Sequence, residues 1–329
     1  MASSSVEATI NTEASRGMGA RYAVLFRVHF WDAFAERQYQ RLCATVGRGD
    51  VFILVDETSG PVPIPHGNVV SHTQKSVLAL GLSGAGHGNM LWFNGDYPLY
   101  LFYLQHSEYD YYVMTEYDVV VQRSLDEVVG TMAAEELDFV GLSNIEAVAS
   151  WPLTRTCLDA YTEAQIRKCL ICISMYSNRA VRHLFERRLE HSRQHEAGLL
   201  QRWPYCEAFV PTEIVAAGMA MGELSRFGPT ERYDWKPAVV ESELAELAGQ
   251  GFVHPVLDTR RFVPHVMRDL WPPEAFFDPR NKVGRRLRRA PVGAYGAKLA
   301  EALWRRVKAV LRKLSSTPNH QDWKPAQIP

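Results

Sequence analysis

The eleven residues Tyr-Tyr-Val-Met-Thr-Glu-Tyr-Asp-Val-Val-Val, from Tyr111 to Val121, constrain this chain more than any other stretch. A run of β-branched and aromatic residues reads as a buried strand. Such a strand should hold no unpaired carboxylate, because desolvating a charge is costly. Glu116 and Asp118 nevertheless sit two apart within it, so on an extended chain both point to one face. Two acids side by side repel unless something positive stands between them. A hard divalent cation, Mn²⁺ or Mg²⁺, shared between carboxylates and substrate phosphates is the simplest candidate. The plainer alternative is a strand end emerging into solvent. Apolar residues on both sides of the pair favour a site.

Other segments supply the frame. Tyr22 to Phe30, Asp50 to Asp56, Val69 to His72, Asp138 to Leu142 and Leu170 to Tyr176 read as strands. Ala33 to Val46, Tyr97 to His106, Leu125 to Glu136 and Asn178 to Ser192 read as helices, with Ser124 as N-cap of the third. A further helix is expected over Pro211 to Ala217, with the proline in its first turn. The rest, up to the basic end of the chain, reads as irregular. Alternating strands and helices predict an α/β fold whose central sheet is mostly parallel and flanked by helices. In open sheets of this kind ligands bind beyond the carboxyl ends of the strands, where Asp56, Glu116 and Asp118 fall. No Gly-x-Gly-x-x-Gly follows the first strand and no Gly-Lys-Ser/Thr loop occurs, which argues against dinucleotide oxidoreductases and P-loop enzymes. The glycines at 81, 84, 86 and 88 read as a flexible loop.

The 329 residues suffice for a core that needs no disulfide or metal. Five cysteines without framework spacing are expected to be structural thiols in a reducing compartment. Cys169-x-x-Cys172 lies in an apolar run, with no second pair to complete a tetrahedral site. No leader of signal-peptide type and no membrane-span length of apolar residues occurs, so a cytoplasmic protein is expected.

Ordered motifs connect these segments to a known group. Asn94-Gly95-Asp96-Tyr97-Pro98-Leu99 leads through Tyr109-Asp110-Tyr111-Tyr112-Val113 into Glu116-Tyr117-Asp118-Val119, and further on come Glu207-Ala208-Phe209-Val210-Pro211-Thr212 and His254-Pro255. This order resembles bacterial and fungal glycosyltransferase-like proteins of the GT-A superfamily, whose acidic pair ends a mid-sheet strand. The likeness spans about residues 22 to 258; Glu116 stands where Asp is commoner. It implies a GT-A-like single domain over 21–279, after a disordered leader over 1–20. The implied activity moves a sugar from a nucleotide-sugar donor to a glycan or lipid-linked acceptor, metal-dependent and inverting. By the same likeness, Glu116, Asp118 and His254 hold the metal, and Glu207 is the general base. The residues themselves suggest Arg27, Asp56, Asp96 and Tyr117 on the donor, and Trp151, Trp203 and Tyr205 stacking on acceptor sugars. Each has a structural alternative: an internal ion pair for the charged groups, packing for the aromatics. A non-catalytic, membrane-associated scaffold that keeps the fold is the competing reading.

The net charge of −1 conceals a division. Residues 280–313 carry twelve basic residues and one acid, Glu301, so the rest of the chain sums to −12. Within residues 280–329, Leu299, Leu303, Val307, Val310, Leu311 and Leu314 form one helical stripe, with Arg305, Lys308 and Arg312 on another. This pattern, preceded by Arg285-Arg286-Leu287-Arg288-Arg289, suits a helix on an anionic membrane surface, the inner face of the cell membrane. Docking on its own domain is the alternative. Nucleic acid is not expected as a partner, because the main domain is acidic and no recognition motif is present.

Overall fold

A computed structural model describes residues 19–86, 89–143 and 148–315. Most of the expected leader, Gly88 of the glycine-rich loop, and residues 316–329 lie outside the described residues. The chain forms two compact units: the first from Met1–Lys236 and Glu246–Val256, the second from Pro237–Ala245 and Leu257–Pro329. The expected boundary at residue 279 falls inside the second.

The first unit is built on a seven-stranded sheet. Its strands are β1 (Tyr22–Val28), β2 (Asp50–Asp56), β3 (Val69–His72), β4 (Tyr111–Glu116), β6 (Phe139–Ser143), β7 (Cys169–Ser177) and β8 (Met221–Glu223), with β5 (Val120–Val121) belonging to a second sheet. The order is β3-β2-β1-β4-β7-β6-β8. β7 runs antiparallel to β4 and β6, and every other pairing is parallel. The core strands are apolar on both faces because both faces are covered. One layer joins Leu25, Leu54, Met114 and Tyr176 to the helices α4 (Tyr97–Gln105), α6 (Asn178–Glu196) and α7 (Cys206–Ala216). The other joins Val24, Phe26, Ile53 and Val113 to α1 (Ala33–Cys43) and α5 (Leu125–Ala134).

Three expectations need correction here. The run from Tyr111 does not continue as one strand to Val121. It stops at Glu116, turns through a Val119 N–H to Glu116 carbonyl hydrogen bond of 3.1 Å, and resumes as β5. The expected helix at Pro211 starts five residues earlier, at Cys206, and carries Pro211 inside it. The proline removes one backbone donor, which burial of most residues from Cys206 to Ile214 outweighs. Finally, residues 258–279 are not irregular throughout: α8 (Thr259–Asp269) lies there, and it forms the second unit with α9 (Lys282–Leu287) and the expected C-terminal helix, α10 (Val292–Ser315). Phe262, Val263, Val266, Leu270, Leu287, Tyr295 and Leu299 make its core. Among the described residues no helix is long and apolar enough to cross a membrane.

The second sheet of the first unit is small and places one histidine. It joins β5, β9 (Arg232–Tyr233) and β10 (Phe252–His254), with β10 in the middle. Gly251 feeds β10 with φ of 71°, and a Cβ there would meet the Pro229 carbonyl oxygen at 2.6 Å. Only glycine tolerates both the left-handed backbone and the close approach.

Candidate active site

The carboxyl ends of β1 and β4 meet in the row Arg27–Glu116. The two residues are register partners on parallel strands and share a face. The Arg27 guanidinium lies 3.4 Å from the Glu116 carboxylate. β4 continues into the turn that carries Asp118, and the Val256 N–H donates to the Asp118 carbonyl at 2.7 Å. That bond ties the turn to the segment following His254. The imidazole Nε2 of His254 then stands 3.7 Å from Asp118 Oδ1. His254 Nδ1 is 2.7 Å from the Asp234 carbonyl. A carbonyl only accepts, so Nδ1 carries a proton and Nε2 is the ring nitrogen turned toward Asp118.

Burial and crowding of like charge dominate the electrostatics. Burial, with the Glu116 charge adding, raises the Asp118 carboxyl to about 6, although His254 opposes it. Asp118 Oδ1 is buried and makes no hydrogen bond. A buried carboxylate oxygen without a donor is what a cation site looks like before the cation arrives. Glu207 comes in from the first turn of α7, a helix whose other residues from Cys206 to Ile214 are all buried. Desolvation, and then Glu116, push its carboxyl up to about 8, against Lys168 and the Ile171 backbone N–H. The helix dipole alone would hold Glu207 ionised; burial wins.

Cys172 completes the constellation and was not expected in it. The β4–β7 ladder ends with Thr115 opposite Ile173, so Glu116 and Cys172 are the next residues along. β7 bulges here: its pairing with β6 passes from Val140–Met175 to Leu142–Leu170, five residues against two. The Tyr233 hydroxyl fills the irregularity, accepting from the Ile173 N–H at 2.6 Å. A bulge re-aims side chains. Donor atoms of Glu116, Cys172 and His254 all lie within 4.8 Å of one another. No spacing in the sequence reports this, because the bulge breaks the alternation by which a strand is read.

Several expected ligand contacts are overturned. Asp96 is fully buried and spent: Oδ2 accepts from Arg188 Nε at 2.7 Å and Tyr100 Oη at 2.8 Å, and Oδ1 from Arg188 Nη2 at 3.1 Å. It is a structural ion pair, not a donor-binding group. Trp151, Trp203 and Tyr205 are only 4–9% exposed. Trp203 donates to Asn94 Oδ1 at 2.7 Å, Trp151 lies under Lys168, and Tyr205 packs on Trp92, Phe93 and Trp151. None of the three offers a face to an acceptor sugar. The accessible aromatics nearby are Trp92, on Tyr205 two residues before Glu207, and Trp235, next to Asp234; both are about 60% exposed. Asp56 ends β2 opposite His72 and caps the Thr58 N–H at 2.9 Å. Tyr117 packs edge-on against His29 and Phe30, at centroid distances of 5.5 and 4.9 Å.

No protein-family model and no curated protein matches the sequence. Among solved structures, the chain is similar to a galactosyltransferase, LgtC, in complex with donor and acceptor sugar analogues (10% identity, 69% of this chain and 79% of that one, TM-score 0.38). It is also similar to the bifunctional glycosyltransferase WbbM (13% identity, 72% and 46%, TM-score 0.40). A third likeness is to mouse xyloside xylosyltransferase 1 (11% identity, 71% and 97%, TM-score 0.38). At these scores and identities the likenesses by themselves assign no activity.

Proposed function

We propose that the first unit is a glycosyltransferase that takes a sugar from a nucleotide-sugar donor and passes it, with inversion, to a glycan or lipid-linked hydroxyl. One observation carries this reading. Glu116, Asp118, His254 and Glu207, drawn from three separate segments, converge at the carboxyl ends of parallel strands, where open α/β sheets bind phosphorylated ligands. A divalent cation fits there, because the buried Asp118 oxygen makes no hydrogen bond, His254 stands 3.7 Å from it and the Glu116 charge acts on it. When bound, such an ion would neutralise charge on a departing diphosphate.

The chain's own groups divide the remaining work. Arg27, already beside Glu116, would meet diphosphate oxygens, and Asp56, ending β2, a ribose hydroxyl. Glu207, with a carboxyl near 8, is a much stronger base than a solvated glutamate, and base strength near the working pH is what proton transfer from an acceptor hydroxyl needs. With Glu207 as base, direct attack by the acceptor hydroxyl on the face opposite the departing diphosphate inverts the anomeric centre. The half-accessible cleft edge at Trp92 and Trp235 is where acceptor rings would stack.

Thermal-shift titrations with UDP-, GDP- and CMP-sugars, with and without Mn²⁺, test the reading. Stabilisation by one nucleotide class that requires the metal is expected. Glu207→Gln should keep that stabilisation and lower turnover by roughly 100-fold or more, the usual contribution of a positioned base. Silence toward every donor would favour the non-catalytic scaffold, and loss of donor binding in Glu207→Gln would remove the base assignment.

The second unit supports peripheral attachment to an anionic membrane. The distal half of α10 exposes Trp304, Val307, Val310 and Leu311, interspersed with Arg305, Lys308 and Arg312. An apolar face flanked by basic residues is the surface that interfacial helices present.

A further inference from the structure

Glu116, Asp118 and His254 are the donors that a metal-dependent sugar transferase would be expected to supply. Cys172 is not. Its Sγ shares a 4.8 Å sphere with a Glu116 oxygen and a His254 nitrogen. Cys172 is partly buried, packs against the apolar core and forms no disulfide, and burial, with Glu116 and Glu207 adding, holds its thiol well above the usual cysteine range. The other cysteine of the same strand, Cys169, is fully buried. Cys172 instead stands at the one place in β7 where the ladder is broken, with Tyr233 holding the irregularity open by accepting from Ile173 and sharing its own proton between the Leu170 and Ile173 carbonyls at 3.4 and 3.3 Å.

We infer that the cleft is a mixed sulfur–nitrogen–oxygen centre, ligated by Cys172, His254 and Glu116 with Asp118 beside His254, and selective for a zinc-like divalent ion over Mg²⁺. The inference rests on the metal-dependent reading above and deepens it by naming the class of ion. Ligand softness carries the argument. Mg²⁺ takes oxygen donors in a strict octahedron, whereas thiolate and imidazole together suit Zn²⁺ and Co²⁺. The second shell agrees. His254 is oriented by its Nδ1–H bond to the Asp234 carbonyl at 2.7 Å, the support that metal-bound histidines ordinarily have. Binding exchanges one proton for the metal–sulfur bond: the Cys172 thiol releases H⁺ to solvent, the thiolate donates its electron pair to the ion, and no oxidant or reductant is involved.

Cobalt is the direct probe, since a Co²⁺–thiolate bond gives a near-ultraviolet charge-transfer band that oxygen and nitrogen ligands do not. The full chain, stripped with a chelator, should develop this band with one equivalent of Co²⁺. Zn²⁺ should abolish it, and Mg²⁺ in large excess should not. Cys172→Ser should lose the band and bind Co²⁺ at least roughly 10-fold more weakly, while Cys169→Ser keeps it. In the unsubstituted protein, Zn²⁺ should slow alkylation of Cys172, mapped by mass spectrometry, and leave other reactive thiols unchanged; this holds even if a variant folds poorly. Co²⁺ binding without the band, persistence of the band in Cys172→Ser, or absence of any divalent binding would overturn the inference. Nucleotide-sugar stabilisation is measured separately: if it appears with Mn²⁺ but the band does not, the thiolate ligand fails and the transferase reading stands.

Discussion

Asp96 and Arg188 are ninety-two residues apart and both fully buried, yet they are paired through two hydrogen bonds. The guanidinium also donates to the Pro204 carbonyl at 2.9 Å and lies 3.7 Å from the Phe209 ring centroid. One side chain therefore fastens the start of α4, the middle of α6 and the approach to α7, the helix that carries Glu207. Two charges without water survive only because each satisfies the other, and removing one leaves the other stranded. Arg188→Leu should thus destabilise the protein by about 3–5 kcal/mol in chemical denaturation, and Asp96→Leu in the Arg188→Leu background should recover a large part of the loss. A single-variant cost below about 1 kcal/mol would show that the pair does not hold these helices together. The same pairing explains why Asp96 misleads at the level of sequence. Its partner lies on a distant helix, so nothing local separates a buried salt bridge from a ligand contact.

At the scale of elements, the sequence was most legible where one local rule was sufficient. β2 and β3 fall on their expected bounds, because apolar runs closed by acids or polar residues are unambiguous. Elements whose reason is tertiary were not legible. Proline normally opens helices, which points to a start at Pro211, but α7 is buried around that proline and tolerates it inside. β5, β9 and β10 are two or three residues long and exist only as a sheet, yet they deliver His254. Cys172 needed the bulge. The last helix was legible in pattern but not in partition. Tyr295 and Leu299 of α10 are in the core of the second unit, whereas its distal half is exposed. Much of the expected polybasic stretch also serves its own unit: Arg286 donates to the Ala238 carbonyl, Arg288 to that of Phe276, and Arg289 pairs with Glu243. The membrane reading therefore narrows to the segment from Trp304 onward. Deleting residues 304–329 should release the protein from phosphatidylserine-rich vesicles in a sedimentation assay while the core around Leu299 stays folded, whereas Leu299→Ala should cost about 2–3 kcal/mol of stability. Equal vesicle binding by the full and shortened chains would exclude the distal helix as the attachment point.

For the whole molecule, buried titratable groups pull the pH dependence of stability in opposite directions, and the balance predicts its shape. Burial lowers His72 to about 4, with Asp56 opposing and Arg27 assisting. Burial likewise lowers His191 to about 4, with Arg188 assisting and Glu213 opposing. Between pH 4 and 6.5 the unfolded chain binds these protons more readily than the folded one, so both histidines make stability rise with pH across that window. Asp118 and Glu207 act with the other sign. Their folded values, about 6 and about 8, lie above the ordinary carboxylate range, so the folded state holds their protons longer and stability falls as pH rises toward those values. From about pH 4.5 to 6, two rising and two falling contributions nearly cancel. Above about 6.5 the histidines and Asp118 have finished titrating and Glu207 alone remains. Stability should therefore decline from about pH 6.5 to 8 by up to about 2 kcal/mol, one and a half pH units at 1.36 kcal/mol each. Melting temperatures of the metal-free protein across that range should show the decline, and Glu207→Gln, which has no proton to lose there, should flatten it. A variant whose melting curve falls in parallel with the parent would show that another group drives the loss, and that Glu207 does not sit in the buried, negatively charged setting that makes it a base.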